Sequence, residues 1–423
     1  MSGVGRIRVP ADLEAVTDVG NEHPGALDPA AVERIWRAVE HWYQAGMHPA
    51  VQLCLRYDGV PVLNRAIGHA RGNGPADPPD AEQVPVTTQT PFCVYSAAKA
   101  ITTTVVHMLV ERGHFRLDDR VCDYLPSYTS HGKDRTTLRH VMTHSAGVPF
   151  ATGPRPDLKR MNDSDYAREQ LGRMKPLHPP GLVHIYHGLT WGPLVREIVS
   201  AATGRGIREI LATEVLDPLG FRWTNYGVDE ADVALVAPSH VTGAPLPAPI
   251  SAALRTALGG TMQQIVPFSN SPLFLTSVIP SSSTVSNADE LSRFADLLRR
   301  GGELDGVRVL RPDTLAAAVA PCRRLRPDVA TGLAPIRWGT GYMLGSRHFG
   351  PFGRGAPAAF GHTGLTNVVM WADPQRRLAV GLVSSGKPGR HPESRRFGEV
   401  LDRINAEIPR ECSGELWALG RPG

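Results

Sequence analysis

Two strand-like runs, Ala50–Tyr57 and Val60–Ile67, meet across Asp58-Gly59, and that junction constrains the fold more than any other feature of the chain. A two-residue Asp-Gly connection takes left-handed backbone easily and matches the twist of paired antiparallel strands, so it predicts a hairpin. Toward the other end, Ile336–Met343, Leu365–Trp371 and Arg377–Ser384 read as further strands, with turn chemistry at Asp373-Pro374. Helical stretches bracket both groups, Pro29–Ala45 before the hairpin and Glu393–Ile408 after the last strand. The pattern predicts an α+β fold, in layer terms an α/β three-layer arrangement: an antiparallel sheet flanked by helices and built from both chain ends. Between the ends, Thr137–Thr143, Asp163–Arg173, Gly188–Thr203 and Ile207–Val215 read as helices of an inserted, mainly helical domain. Gly227–Pro280, rich in Pro, Gly and Ser, reads as a long loop of the kind that forms a lid, a binding wall or a mobile surface excursion. The expected boundaries are an N-terminal arm over 1–28, a sheet domain from 29–125 and 277–412, the insert over 126–276 and a tail over 413–423.

At 423 residues, with 42% hydrophobic and 20% charged side chains, the chain can bury a core for both parts. Its net charge of +4 is spread over scattered arginines, and clusters such as Arg323-Arg324 and Arg395-Arg396 are short. Those are solvated faces, not a nucleic-acid surface. Five cysteines, an odd number without paired spacing, point to reduced thiols and a cytoplasmic setting. Met1–Pro10 has no apolar signal core and no run approaches about eighteen apolar residues, so neither export nor a membrane span is expected. Peripheral contact with lipid stays open, as does the oligomeric state.

The chemistry of the chain starts at Ser96 and Lys99. Serine needs a neighbouring base to act as a nucleophile, and a lysine serves only when desolvation or nearby positive charge lowers its pKa. Lysine is scarce, 5 against 40 arginines, so a position that keeps it can be one that needs an amine able to lose its proton. Ser-x-x-Lys occurs three times, as Ser96/Lys99, Ser130/Lys133 and Ser384/Lys387. Ser130-His-Gly-Lys133 reads as a polar loop and Ser384-Ser-Gly-Lys387 runs into Pro388, so neither fits a helical turn. Ser96 opens a segment with Ala98, Ile101, Val105, Met108 and Leu109 spaced three or four apart, which predicts a buried helix with the serine in its first turn. Free backbone N–H groups there favour a developing oxyanion. The competing reading is an N-capping serine and an ordinary surface lysine.

Three further segments follow in order: Leu138-Arg-His-Val-Met-Thr-His-Ser-Ala-Gly147, Pro180-Gly-Leu-Val-His-Ile-Tyr186-His-Gly188, and Phe360-Gly-His362-Thr-Gly364 with Trp371-Ala-Asp-Pro374 beyond it. With Leu216-Asp-Pro-Leu-Gly-Phe221, Asn287–Phe294 and Trp338-Gly-Thr-Gly-Tyr342, they make a pattern that resembles the penicillin-binding-protein-like serine hydrolases from about Ala50 to Ser385. That group holds class C β-lactamases, D,D-peptidases and β-lactamase-fold carboxylesterases and acyltransferases. The resemblance implies a β-lactamase/transpeptidase-like fold, Ser96 as the acylated nucleophile, Lys99 as its activating neighbour and Tyr186 as a phenolate sharing the proton. It also implies an oxyanion hole from the backbone N–H groups of Ser96 and Leu365, with His362, Thr363 and Gly364 standing for the usual Lys-Thr-Gly strand.

Two departures from the family pattern bear on the substrate. The position that often carries Asn after the tyrosine is Gly188, and histidine replaces the strand lysine at His362. Both remove polar handles for carboxylate-bearing antibiotics or peptides, and both are shared by esterase members. The expected activity is hydrolysis of a small-molecule carboxylic ester through an acyl-enzyme, closest to carboxylesterases of the family VIII type, with no cofactor. The alternatives are β-lactamase, D,D-peptidase or acyltransferase chemistry on the same fold, or a non-catalytic binding module. A Gly-x-Ser-x-Gly elbow and a phosphate loop are absent, and His140 with His144 lacks a His-Glu-x-x-His context, so no rival nucleophile and no metal site is expected.

Overall fold

The computed structural model describes residues 5–150, 157–322, 326–328, 330, 335–389 and 394–410. The tail over 413–423, Cys412 and the Arg323-Arg324 pair lie outside the described residues. Asp58 and Gly59 both have positive φ, 50° and 87°, and Tyr57 pairs with Val60 across them, which is the twisted two-residue hairpin that the sequence predicts.

The hairpin belongs to a sheet of antiparallel neighbours in the order Thr17–Val19, Val60–Arg71, Ala50–Tyr57, Leu378–Ser384, Val369–Asp373, Phe360–Thr363, Met343–Leu344, Pro335–Trp338 and Arg326–Pro327. Ala50–Tyr57 lies directly beside Leu378–Ser384, so the two chain ends close on each other at the centre of the sheet. Within the segment read as an arm, Thr17–Val19 forms an edge strand.

Side chains alternate between two cores. Leu53, Leu55, Val369, Trp371, Val380 and Leu382 face the helices Pro29–Tyr43 and Ser394–Glu407, where Trp36, Val39, Trp42 and Ile404 meet them. Cys54, Met370, Ala372, Ala379 and Val383 face the opposite way, toward Ile101, Val105, Leu291 and Phe294 on the helices Ala98–Glu111 and Ala288–Arg299. Burial on both faces explains why the central strands read as continuous apolar runs. Helix Ala288–Arg299 approaches closely because position 381 is glycine: a Cβ there would lie 2.2 Å from the Ala288 carbonyl oxygen.

The inserted helices Leu138–Met142, Trp191–Thr203 and Ile207–Leu211 share the second core through Leu138, Val141, Trp191, Leu194, Val195 and Ile210. They therefore clamp the buried helix that carries Lys99. Helix Ala98–Glu111 is buried on nearly every side, which fits its apolar composition.

Three local expectations are corrected. Ile336–Met343 is not one strand: Pro335–Trp338 and Met343–Leu344 pair with each other around a turn at Gly339–Gly341, where Gly341 (φ 97°) leaves room for Thr103. Leu365–Trp371 begins as a turn, because Thr366 and Asn367 take positive φ and the Gly364 N–H bonds to the Val368 carbonyl at 2.8 Å; the strand starts at Val369. The long loop over 227–280 contains helices Ala248–Leu258, Met262–Ser269 and Pro272–Leu275, the first of them from an Ala-rich run with Pro near its start.

Candidate active site

Ser96 sits in a single 3₁₀ turn, Tyr95–Ala97, that leads into helix Ala98–Glu111. Tyr95 has φ 48°, an uncommon conformation for an aromatic residue that costs on the order of 1–3 kcal/mol, and this turn presents the Ser96 hydroxyl at a partly exposed position. Lys99 is fully buried, and its Nζ lies 3.2 Å from Ser96 Oγ, 3.3 Å from the Gly188 carbonyl oxygen and 3.2 Å from that of Ser281. All three acceptors are uncharged. With no carboxylate in contact among the described residues to hold its proton, burial draws the amine down to about 7.

Tyr186 lies on the other side of the amine, its ring centroid 5.0 Å from Lys99 Nζ. The segment carrying it hangs on the turn at His144-Ser145: the Ile185 N–H bonds to the His144 carbonyl at 3.0 Å, and the Gly181 N–H to the Ser145 carbonyl at 2.8 Å. His144 Nδ1 accepts from the His187 N–H at 3.2 Å, which fixes its proton on Nε2. Asp328 accepts the Tyr186 N–H at 2.8 Å, and Trp338 stacks on the phenol at 5.8 Å. The Tyr186 hydroxyl makes no well-formed hydrogen bond within the described residues; it faces Ser96, whose influence only partly opposes a pKa raised by burial. Its resting form is therefore the phenol, not the phenolate that the resemblance implied.

The strand Phe360–Thr363 delivers His362, Thr363 and Gly364 beside the nucleophile. A Cβ on Gly364 would lie 2.4 Å from the Val94 carbonyl oxygen, so glycine is what lets this strand end approach the Ser96 turn. The amides of Ser96 and Leu365 donate to no group among the described residues. His362 Nδ1 donates to the Thr363 carbonyl at 2.7 Å, and burial together with Lys99 lowers its pKa to about 3. At neutral pH it is an uncharged imidazole.

Sequence reasoning left some contributors without a role. The His144-Ser145 turn and Trp338 belong to segments of the family pattern but position Tyr186, and Ser281, which lies outside those segments, supplies a carbonyl to Lys99. Backbone carbonyl contacts leave no signature in side-chain identity.

The second Ser-x-x-Lys also makes contact, contrary to its reading as a loop without a suitable turn. Lys133 is buried, with Nζ 3.1 Å from Ser130 Oγ, 2.8 Å from the Gly172 carbonyl oxygen and 2.5 Å from that of Met174. Those carbonyls end helix Ser164–Arg173, and Ser130 Oγ itself donates to Gly172 at 2.7 Å, so this lysine caps a helix. Lys133→Met should cost about 1–3 kcal/mol by orphaning buried carbonyls. Thermal unfolding should show it as a lowered Tm, with ester turnover within about twofold of wild type.

A serine met by a desolvated amine and a buried phenol, with two unengaged amides alongside, defines a serine hydrolase of the β-lactamase fold. The family model described as Beta-lactamase matches residues 39–403, and the chain belongs to that family. Among its relatives is the esterase/beta-lactamase LipL of Mycobacterium tuberculosis, 30% identical over 382 residues that cover 86% of this chain and 83% of LipL. A penicillin-binding protein homolog from Caulobacter crescentus shares the fold at TM-score 0.78 and 24% identity, over 92% of this chain and 100% of the homolog. A family VIII carboxylesterase shares it at TM-score 0.74 and 22% identity, over 91% and 99% of the two chains. No helix among the described residues is long and apolar enough to cross a membrane.

Proposed function

We propose that the protein is a carboxylic ester hydrolase working through an acyl-enzyme on Ser96. Lys99, as the neutral amine, takes the Ser96 proton while Oγ bonds to the ester carbonyl carbon. The amides of Ser96 and Leu365 hold the resulting oxyanion, a contribution of ~100- to 1000-fold per donor. As the tetrahedral intermediate collapses, the C–O bond to the alcohol breaks and the proton passes through the Tyr186 hydroxyl to the leaving oxygen. Water then attacks the acyl ester, gives its proton back along the same path and releases the acid and Ser96. Thr363 and His362 stand beside the nucleophile as neutral groups. No cofactor takes part in this scheme. Cys54, Cys93 and Cys122 form no disulfide among the described residues, which supports the reading of a reducing, cytoplasmic setting.

What carries the ester reading is the chemistry of two positions, an uncharged imidazole at His362 and a residue without a side chain at Gly188. His362 carries no positive charge to attract a carboxylate, and Gly188 has no side chain to grip an acylamino group. The space an asparagine would use at 188 is partly taken: a Cβ there would already lie 3.2 Å from the Ala257 carbonyl oxygen and 4.0 Å from Leu258 Cδ2, at the end of helix Ala248–Leu258. LipL, named as an esterase/beta-lactamase, supports the same class.

A short-chain nitrophenyl ester and a chromogenic cephalosporin, assayed side by side, test the reading. The ester should show the larger kcat/KM, by about 100-fold or more, because the site offers nothing to pair with the cephalosporin's carboxylate or side-chain amide. Equal turnover, or preference for the cephalosporin, would reject the ester assignment in favour of β-lactamase chemistry.

A further inference from the structure

Of the five lysines, Lys99 and Lys133 have been given roles, and a third, Lys387, is equally buried. It lies on the short strand Gly386–Pro388, which runs parallel to His240–Thr242. Gly386 fits against the Met47 carbonyl where a Cβ would come within 1.9 Å, so the strand is fixed on both sides. Lys387 Nζ donates to the Ser384 carbonyl at 2.6 Å and sits 5.1 Å from the ring centroid of Tyr95. Burial pushes the amine down to about 7, whereas the carbonyl and the π face both favour its ammonium form.

Tyr95 is the strained residue that presents Ser96. It is held at three points, one on the backbone just before it and two on its ring. The preceding Val94 N–H bonds to the Thr284 carbonyl at 2.9 Å. Ser269 Oγ gives its own proton to the Val266 carbonyl at 2.7 Å, so the Tyr95 hydroxyl is the donor in their 2.6 Å contact. The face of the ring meets Lys387. A positive φ of 48° in a bulky residue persists only where its surroundings over-determine it.

We propose that Lys387 is a positioning residue for the nucleophile: its amine, laid on the face of Tyr95, holds the strained turn that keeps the Ser96 hydroxyl against Lys99. The proposal rests on the reading of Ser96 as the acylated serine. Displacing a reacting group by about an ångström can cost ~100-fold in rate, so a modest relaxation of Tyr95 is enough to be measured.

The test is the rate at which a fluorophosphonate labels Ser96, in wild type, Lys387→Met, Tyr95→Leu and the double variant. Each single change should slow labelling by about 10- to 100-fold, and the double variant should be no slower than the worse single one, because both act through one contact. With a nitrophenyl ester, kcat should fall in parallel while KM stays within about twofold. Additive losses, or a Lys387→Met enzyme that labels at the wild-type rate, would overturn the proposal. If Lys387→Met does not fold, Lys387→Gln, which keeps a donor for the Ser384 carbonyl, is judged by the same criteria. A wild-type enzyme that never labels at Ser96 would instead sink the parent reading, so the two failures are distinguishable.

Discussion

Ser96→Ala should abolish turnover of a short acyl ester and leave the fold intact. For a nucleophile that acts as one unit with its base, deletion costs on the order of a millionfold in kcat. The change removes one hydroxyl from a partly exposed site, and Lys99 keeps the Gly188 and Ser281 carbonyls as partners. Stability should therefore move by less than about 1 kcal/mol, a shift of a few degrees in Tm at most. The measurement is steady-state hydrolysis with mass spectrometry of the trapped enzyme: wild type gains one acyl or phosphonyl adduct on the peptide carrying residue 96, and the variant gains none. Retained hydrolysis by the variant would remove Ser96 from the mechanism altogether.

Lys99→Arg should be almost as damaging, and for a reason that charge conservation makes plain. Arginine stays protonated at every pH at which the protein is folded, so the variant keeps a cation beside Ser96 and loses the base. General-base contributions run to about 100- to 10,000-fold, and the bulkier guanidinium adds displacement of Ser96. In wild type the amine must be neutral to accept the serine proton. Its pKa is lowered by burial to about 7, so kcat/KM should rise with pH through a midpoint near 7 and then level off. Tyr186 cannot supply that limb, because burial moves its ionisation upward, away from neutrality. A flat profile across this range, or a Lys99→Arg enzyme whose activity returns at high pH, would mean that another group takes the proton.

How much of this was legible in the sequence depended on whether chemistry or backbone carried the information. The hairpin at Asp58-Gly59 and the strand Leu378–Ser384 could be read because positive φ and two-sided burial restrict residue type. The breaks at Gly339–Gly341 and at Thr366-Asn367 could not, since a run such as Ile336–Met343 has the composition of one strand whether or not it folds back. Pro and Gly around 227–280 hid the helix Ala248–Leu258, whose signal is a short Ala-rich stretch between breakers. In the site, Ser96 and Lys99 stood out because few residue types do their chemistry, whereas Tyr186 was reached only through the resemblance to a known family. Spacing alone was a weaker guide than it looked: Ser130 and Lys133 reach the same contact distance while serving a helix end. The carbonyls of Gly188 and Ser281, which with Ser96 Oγ accept the bonds of Lys99, could have belonged to any residue.

The neighbouring placement of Ala50–Tyr57 and Leu378–Ser384 has a consequence for biosynthesis. Ser96 and Lys99 are synthesised well before the strand Phe360–Thr363 that carries His362 and before the Leu365 amide, and the sheet strand Leu378–Ser384 follows later still. Until those later segments dock, Ser96 has its amine but not the neighbouring Leu365 amide, so the proposed site is assembled only by pairing between segments far apart in the sequence. Long-range pairing of this kind also folds slowly.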